Sequence, residues 1–524
     1  MMTSSSCKRF VSRSNATRPL KTIAAIVALG CHLPLVHAQT GGSGGTGSGR
    51  AFSIVPSFSV NETFTDNVRL SGANPQSEQV TDVSAGFRLL SNTARLRAYV
   101  DYALHGLVYA QNTSTPSIQN ALTAFGSLEA VENWAFIDFN ASISRQAISA
   151  LGAQSLNNES LNGNITETSA TRLSPYLRGK FGSFADYEAR YSASKSSSKS
   201  NLASDVNSQV ASVRLGSGSG SGPLGWSVDA SRQLVDNENG RRTEANIVRG
   251  GLTYVASPQL RFTVNAGTEA NNYNSLGKES SSTSGYGADW SLSDRTTLSA
   301  SRQQHNYGES HSINFQHRTG RTAWSFSDTR SVSNGSGQGS GSIGSTYDLL
   351  FGQFAVIEPD PVKRAQLVSD FLQTNGIDPN TQVISGFLSA ATTLQRTQNL
   401  SFTLLGVRDT LTFTASRSEN ARLDTISNAA DDLSNSNVVR QRGFSISLAH
   451  RLTPDSSVNA VLAQQDSSGT AGVPGTSLRS ANLNLSTRVG LRTTASLGAR
   501  RVVFDSSTAP YAETAVTGNL NMQF

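Results

Sequence analysis

Hydrophobic and polar residues alternate one by one along most of the chain after residue 51, in stretches of about ten residues separated by polar turns. In one such stretch, Leu260, Phe262 and Val264 alternate with Arg261 and Thr263. Successive side chains of a strand point to opposite faces, so each stretch predicts a strand with one apolar and one polar face. The same alternation recurs in residues 96–104, 137–144, 186–191, 410–415 and 481–486.

The final stretch, residues 510–524, closes on an aromatic residue. Leu520, Met522 and Phe524 share its apolar face, and Asn519, Asn521 and Gln523 form the other face. A last strand of this kind is typical of proteins that the bacterial outer-membrane barrel assembly machinery folds. We therefore interpret Leu520, Met522 and Phe524 as an assembly signal and expect that machinery to be a partner.

The connections between these stretches alternate between short and long, as they do in outer-membrane barrels. Short turns are predicted near residues 91–93, 132–133, 182–183 and 293–294, and long loops over 65–79, 146–168, 271–284 and 418–439. No run of 18 apolar residues follows residue 38, so we expect strands rather than helices to cross the lipid. The prediction is an all-β transmembrane antiparallel β-barrel of about 22 strands (range 20–24), with both ends periplasmic.

One region, residues 343–397, lacks this alternation and predicts a helical insert in an outer loop. Asp360 and Pro361 suit the start of a helix, and Val362, Ala365 and Val368 follow at helical spacing. A second short helix is expected from a further apolar set, Val383, Phe387, Leu388 and Ala391. The apolar faces could pack against each other, cover the barrel mouth or fill the lumen as a plug.

The first 50 residues predict export. Basic residues precede an apolar run that ends at Ala38, as in a secretory signal peptide over 1–38. Lipidation of Cys31 is an alternative, although the apolar run continues past it. Residues 39–50 form a Gly/Ser-rich linker, and 51–524 form the barrel domain. Because both cysteines, Cys7 and Cys31, precede residue 39, cleavage leaves a chain without disulfides or thiolate metal ligands.

The charge of the mature chain gives no support to nucleic-acid binding. The full sequence holds 43 Lys and Arg against 37 Asp and Glu, but five of the bases and none of the acids lie in residues 1–38. The remainder, 38 against 37, is close to neutral, so the high isoelectric point belongs to the signal peptide.

Motifs for catalysis or metal binding are weak, so no catalytic residue, metal or cofactor is predicted. His305, His311 and His317 are evenly spaced, but a turn near Gly308 would separate them, and no HExxH pattern accompanies them. No GxSxG nucleophile elbow is present, because the one occurrence of that spacing, residues 41–45, lies in a Gly/Ser-rich segment. A barrel hydrolase using Ser and His remains an alternative.

The polar faces of the predicted strands carry charges of both signs among many Ser, Thr and Asn residues. The candidates for lining the lumen are Arg95, Arg97, Asp101, Asp138, Glu188, Arg190, Arg261 and Arg500. Mixed charge predicts neither strong anion nor strong cation selection, whereas hydroxyl- and amide-rich walls suit neutral polar solutes such as sugars. Alternatively, these groups bond one another and fill the interior.

Residues 54–70 (IVPSFSVNETFTDNVRL) resemble the opening of a family of outer-membrane barrels associated with the PEP-CTERM/exosortase sorting system, through Pro56, Glu62 and the turn Thr65, Asp66 and Asn67. The block 174–191, the insert with Arg364, and the ending at Phe524 are similar too. This resemblance implies a barrel in bacteria that make exopolysaccharide. It supplies no catalytic or binding residues, and Asp and Asn at such positions also simply favour turns.

We therefore expect a non-enzymatic pore or export-associated envelope component in the outer membrane, with lipid and possibly polysaccharide or exosortase-system components as partners. One alternative is a closed barrel that anchors envelope partners through its loops. The other is the barrel hydrolase.

Overall fold

The computed structural model describes residues 51–200, 204–218, 222–238, 240–333, 346–374, 386–423, 431–470 and 472–524. The predicted signal peptide and linker lie outside these residues, as do 343–345 and 375–385 of the predicted insert. The strands are β1 (Phe52–Thr65), β2 (Glu78–Asn92), β3 (Leu96–Tyr109), β4 (Ser117–Val131), β5 (Ala135–Ala147), β6 (Ile165–Phe181), β7 (Ala185–Ser198), β8 (Val206–Ser217), β9 (Leu224–Asn237), β10 (Thr243–Ser257), β11 (Leu260–Asn271), β12 (Glu279–Ser293), β13 (Thr296–His305), β14 (Gly308–Arg318), β15 (Thr322–Ser333), β16 (Thr393–Leu405), β17 (Asp409–Arg422), β18 (Val438–Arg451), β19 (Ser456–Ser468), β20 (Thr476–Gly490), β21 (Thr493–Ser506) and β22 (Tyr511–Gln523).

These 22 strands form one closed antiparallel barrel, which confirms the predicted fold class. Each strand pairs with the next along the chain. The barrel closes where β1 pairs with β22, with Val60 opposite Leu520 and Phe58 opposite Met522. Beyond the end of β22, the backbone N–H of Phe524 donates to the Pro56 carbonyl at 3.0 Å. Among the described strands, closure leaves no unpaired sheet edge, as a barrel in lipid requires.

Short turns lie at one end of the barrel together with both chain termini of the described domain. The turn between β4 and β5 spans three residues and holds Asn133 at φ 56°, a left-handed conformation that Asn tolerates well. Most long loops lie at the other end. We assign the short-turn end to the periplasm and the long-loop end to the outside, following the usual arrangement of outer-membrane barrels.

The outer wall of the barrel is apolar. Val248, Leu252, Val264, Leu483 and Val516 are each about half exposed on it. Large exposed aromatic residues gather toward the short-turn end: Trp134, Phe181, Phe184, Tyr254, Trp290, Trp324 and Phe524. An apolar band with an aromatic girdle is typical of strands that face lipid, so the wall is that of an outer-membrane barrel. Within the part of the chain that the structure describes, no helix is long and apolar enough to cross a membrane.

The helical insert lies in the loop between β15 and β16. It contains α1 (Thr346–Gln353), a single 3-10 turn (Phe354–Val356) and α2 (Pro361–Thr374). The second predicted helix is wrong where it is described: residues 386–392 are irregular, and Phe387 pairs with Ala147 in an isolated parallel bridge. Strand β16 also begins at Thr393, inside the range predicted for the insert. A further short helix, α3 (Asp432–Asn435), lies in the loop before β18.

Candidate functional site: the filled lumen

The inner wall carries an ion cluster that unites three of the predicted lumen residues. The Arg190 guanidinium donates from Nη1 to Asp138 at 2.7 Å and from Nε to Glu188 at 2.9 Å. The same guanidinium lies 3.8 Å from the ring centroid of Tyr176. The register brings these residues from β5, β6 and β7 together. Because one arginine offsets one of the two carboxylate charges, the cluster has a net charge of about −1.

The other predicted lumen residues have different surroundings. Asp101 accepts hydrogen bonds from Arg88 and from the Tyr99 hydroxyl, and Arg500 pairs with Glu513 at 3.0 Å in a buried position. Arg97 and Arg261 lie on strands and are exposed. Arg95 lies in the turn before β3 rather than on a strand, which corrects its predicted position.

The helix α2 starts where the sequence predicted. Asp360 caps it, since its side-chain oxygen accepts from the backbone N–H groups of Val362 at 2.9 Å and Lys363 at 3.2 Å. Pro361 occupies the first helical position, where no N–H is needed. The apolar residues at helical spacing, including Val368, are buried.

The insert has its own small core. Buried Tyr347 and Leu350 of α1 pack against Val368 and Leu372 of α2, and three phenylalanines surround them: Phe351, Phe354 and Phe371. The helices therefore pack against each other, as one of the predicted alternatives required. This pairing alone would leave their remaining faces exposed.

Those remaining faces touch opposite walls of the barrel, so the insert crosses the lumen. The helix α2 contacts β3, and the 3-10 turn contacts β14. These strands are 11 apart in a ring of 22, so they face each other across the barrel. The structure thus places this insert inside the barrel, as the plug alternative expected.

Three contacts fix the insert to the wall near β3. The Tyr99 and Ser369 hydroxyl oxygens are 2.7 Å apart, and Arg88 lies 3.7 Å from the Asp370 carboxylate. The ring of Phe351 meets that of Phe125 edge-on at 5.8 Å. Tyr99 is the fourth residue of β3 from the short-turn end, which is about 10 Å along the strand at 3.3 Å per residue. The insert therefore reaches deep into the periplasmic half of the lumen.

A second element, the mouth loop of residues 148–164, covers part of the outer opening. Its Leu156 packs into a cluster on the inner wall with Phe504 and Tyr511, and its Leu161 packs against a cluster that contains Val68. The backbone N–H of Leu161 donates to the Val68 carbonyl at 2.8 Å. These contacts hold the mouth loop on the wall formed by β1 to β3 and β20 to β22.

Two adjacent acids join the mouth loop to loops from the other side of the barrel. Asp432 accepts from the Ser149 hydroxyl and from the Ala150 backbone N–H, each at 2.6 Å. Asp431 accepts from the Ser389 hydroxyl at 2.7 Å and caps α3. Burial raises the pKa of the Asp432 carboxyl, and the two hydrogen bonds from Ser149 and Ala150 oppose that rise. Three outer loops are thus fastened together above the lumen.

The turn Thr65, Asp66 and Asn67 lies at the seam where the barrel closes. The Asp66 side chain accepts from the Thr514 backbone N–H at 2.7 Å, and the Asn67 amide donates to the Ala512 carbonyl at 3.0 Å. The Thr65 hydroxyl donates to Glu513 at 2.9 Å. All three residues therefore bind β22, which gives this turn a structural role in fastening the first strand to the last.

The histidines discussed as metal ligands are not brought together. His305 bonds Glu269, His311 bonds Asp328, and His317 bonds Thr296, each at a separate place on the wall. Among the described residues no group of three or more metal-binding side chains is found.

Sequence reasoning missed Arg88, which binds both Asp101 and the insert. The available signal was that Arg88 alternates with the apolar Phe87 and Leu89 along β2, which places it on the polar face.

No family model matches the sequence, and no curated protein matches it, so the resemblance to the exosortase-associated barrels gains no support from those comparisons. Among solved structures, the chain is similar to the siderophore receptor PirA from Pseudomonas aeruginosa, with 10% identity and a TM-score of 0.42, covering 90% of this chain and 80% of that one. It is also similar to the FrpB iron transporter from Neisseria meningitidis, with 11% identity and a TM-score of 0.47, covering 90% and 82%. Iron and siderophores are ligands of those proteins and are not carried over to this chain.

Proposed function

We propose that this protein is a passive outer-membrane pore whose own helical insert controls permeation. The observation that carries the proposal is the docking of α2 against β3 through Tyr99, Ser369, Arg88 and Asp370. Among the described residues, the polar contacts of the helix with this wall include one hydrogen bond and one long, partly exposed ion pair. Such contacts are each worth about 1 kcal/mol or less, so undocking at this wall is energetically accessible.

The walls favour neutral polar solutes, sugars among them. Charges of both signs occur on the wall, and in the cluster around Arg190 one of the two carboxylate charges is offset. Hydroxyl pairs such as Ser59 with Ser84 and Thr414 with Ser445 line other parts of the wall. A link to exopolysaccharide or exosortase-dependent assembly rests on the sequence resemblance alone. Loss of surface polysaccharide on deletion of the gene would support it, and unchanged polysaccharide would contradict it.

The test is ion conductance of the purified protein in planar bilayers. We compare the intact chain with a variant in which residues 346–374 are replaced by a short Gly/Ser linker, alone and combined with Asp432→Ala. A pore controlled by its insert shows low, intermittent conductance when intact and larger, steadier conductance after the replacement. Absence of conductance in all three proteins would contradict the proposal.

A closed docking barrel is the second candidate, favoured by the fastening of three outer loops through Asp431 and Asp432. In that case the loops bind envelope partners and no solute passes through the lumen. Zero conductance in the doubly altered protein, together with retained folding in detergent, is the result that this candidate predicts.

A further inference from the structure

Three side chains from different strands meet on the inner wall near the outer mouth. Glu269 is the third residue from the end of β11, His305 ends β13, and Ser310 is the third residue of β14. A two-residue turn, Asn306 and Tyr307, joins β13 to β14, followed by Gly308 at φ 121°. Val264 of β11 faces lipid, so Glu269, at an odd number of positions from it, faces the lumen.

These side chains form a continuous hydrogen-bonded chain. His305 Nδ1 lies 2.6 Å from a Glu269 carboxylate oxygen, and His305 Nε2 lies 2.9 Å from the Ser310 hydroxyl oxygen. An ionised carboxylate can only accept hydrogen bonds, so Nδ1 carries the proton and donates a hydrogen bond to Glu269. In the neutral ring, Nε2 is then the acceptor, and the Ser310 hydroxyl donates to it. This is the arrangement that activates a serine nucleophile.

The surroundings hold the acid and the base in place. The second carboxylate oxygen of Glu269 accepts from the Asn306 backbone N–H at 3.0 Å. The Tyr307 ring stacks on the His305 ring at 4.7 Å, with the planes 10° apart. The side chains of His305 and Glu269 are 4% and 1% exposed, whereas Ser310 is partly exposed. The base and acid are thus shielded, and the hydroxyl remains within reach from the lumen.

We propose that Ser310, His305 and Glu269 form a hydrolytic site for small water-soluble esters. Ser310 Oγ attacks the ester carbonyl while its proton moves to His305 Nε2. The bond to the leaving alcohol then breaks as His305 returns that proton to the alcohol. Water attacks the acyl-serine in the same way, which releases the carboxylic acid and restores the serine. Because the site opens to the polar lumen and not to the lipid-facing wall, short acyl esters are favoured over phospholipids.

The experiment uses the full-length folded barrel in detergent, with p-nitrophenyl acetate as substrate and a fluorophosphonate probe that labels activated serines. We expect mass-spectrometric labelling at Ser310, loss of labelling and turnover in Ser310→Ala, and a decrease of about 100-fold or more in His305→Gln. Glu269→Gln is expected to decrease the rate as well, since the neutral amide lacks the charge that stabilises the histidine cation and can present an N–H to Nδ1 in place of an acceptor.

Ser312→Ala is the matched control. Ser312 lies two residues along β14 on the same face and bonds Asn314 rather than a histidine. It should leave labelling and turnover unchanged, and compact migration in unheated detergent gels verifies folding of every variant. Folded intact protein without label at Ser310, or turnover that survives Ser310→Ala, would overturn the proposal. The bilayer conductance is independent of this site, so failure here leaves the pore proposal standing.

Discussion

The hydrogen bond between Tyr99 and Ser369 offers a quantitative test of how the insert is held. The Tyr99 hydroxyl donates to Asp101 at 2.9 Å, so its short contact of 2.7 Å with Ser369 is one in which the serine donates. Tyr99 is fully buried and Ser369 is 4% exposed, so water does not replace the bond while the helix is docked. A bond of this kind contributes about 1 kcal/mol.

We predict that Tyr99→Phe and Ser369→Ala each increase the ratio of open to closed time about fivefold, since 1.4 kcal/mol corresponds to a factor of ten. The double variant should show little more than either single variant, because both remove the same bond. The corresponding coupling energy is about 1 kcal/mol.

Single-channel recording in planar bilayers measures these ratios at one voltage and salt concentration. Tyr102→Phe is the matched control, since Tyr102 lies on the same strand and its hydroxyl donates to Asn120 at 3.0 Å, away from the insert. Additive effects of the two substitutions, with zero coupling, would show that this contact does not hold the insert. The argument would also fail if Tyr102→Phe changed the open time as much as Tyr99→Phe.

Three further predictions concern the wall, the seam and the mouth. Val264→Arg places a charge on the lipid face and should lower the free energy of unfolding, measured in urea from vesicles, by about 2–4 kcal/mol, whereas Thr263→Arg on the lumen face should lower it much less. Equal losses would contradict the assignment of faces. Glu513→Ala leaves Arg500 unpaired in a buried position and should lower the free energy of unfolding by about 3–5 kcal/mol, against less than 1 kcal/mol for Glu188→Ala at a half-exposed carboxylate. A small loss for Glu513→Ala would mean that the seam does not depend on this pair. Asp432→Ala frees the mouth loop, so limited proteolysis within 148–164 should accelerate severalfold while the barrel stays folded; an unchanged rate would contradict the fastening.

The barrel could be predicted because its wall is a repeated local pattern. Lipid on one side and polar groups on the other impose alternation on every strand, as in Leu260–Asn271, and this requires no knowledge of distant contacts. The strand ends were predicted less well, since β6 begins at Ile165 where a loop was expected to 168. Above the lipid the outer face need not be apolar, so alternation fades before the strand ends.

The failed helix over 383–391 has a related cause. Apolar residues three and four apart predict a helical face, yet loop residues that pack into a shared cluster can have the same spacing. Phe387 and Ala391 pack with Ala150, Leu433 and Val439, which come from three other parts of the chain. Their burial depends on those loops, and the local pattern cannot show that.

The candidate site could be predicted only in part from the sequence, because its contacts also join distant parts of the chain. Alternation assigns a face to Asp138 and Arg190, but not the register that brings them within 2.7 Å across 52 residues. The contact between Tyr99 and Ser369 joins residues 270 apart, and Glu269, His305 and Ser310 meet across four strands. Such sites become visible only once strand order, register and the path of the insert are known.

The insert and the mouth loop occupy different heights of the same barrel, and this arrangement decides how conductance responds to changes in either. The Tyr99 contact lies about 10 Å from the short-turn end, whereas Asp432 fastens loops at the opposite end. Electrical resistances in series add, so the tighter of the two constrictions determines the current. Removing the wider constriction then changes the current little. A larger effect from replacing 346–374 than from Asp432→Ala would therefore identify the insert as the main barrier, and the reverse order would assign that role to the fastened loops.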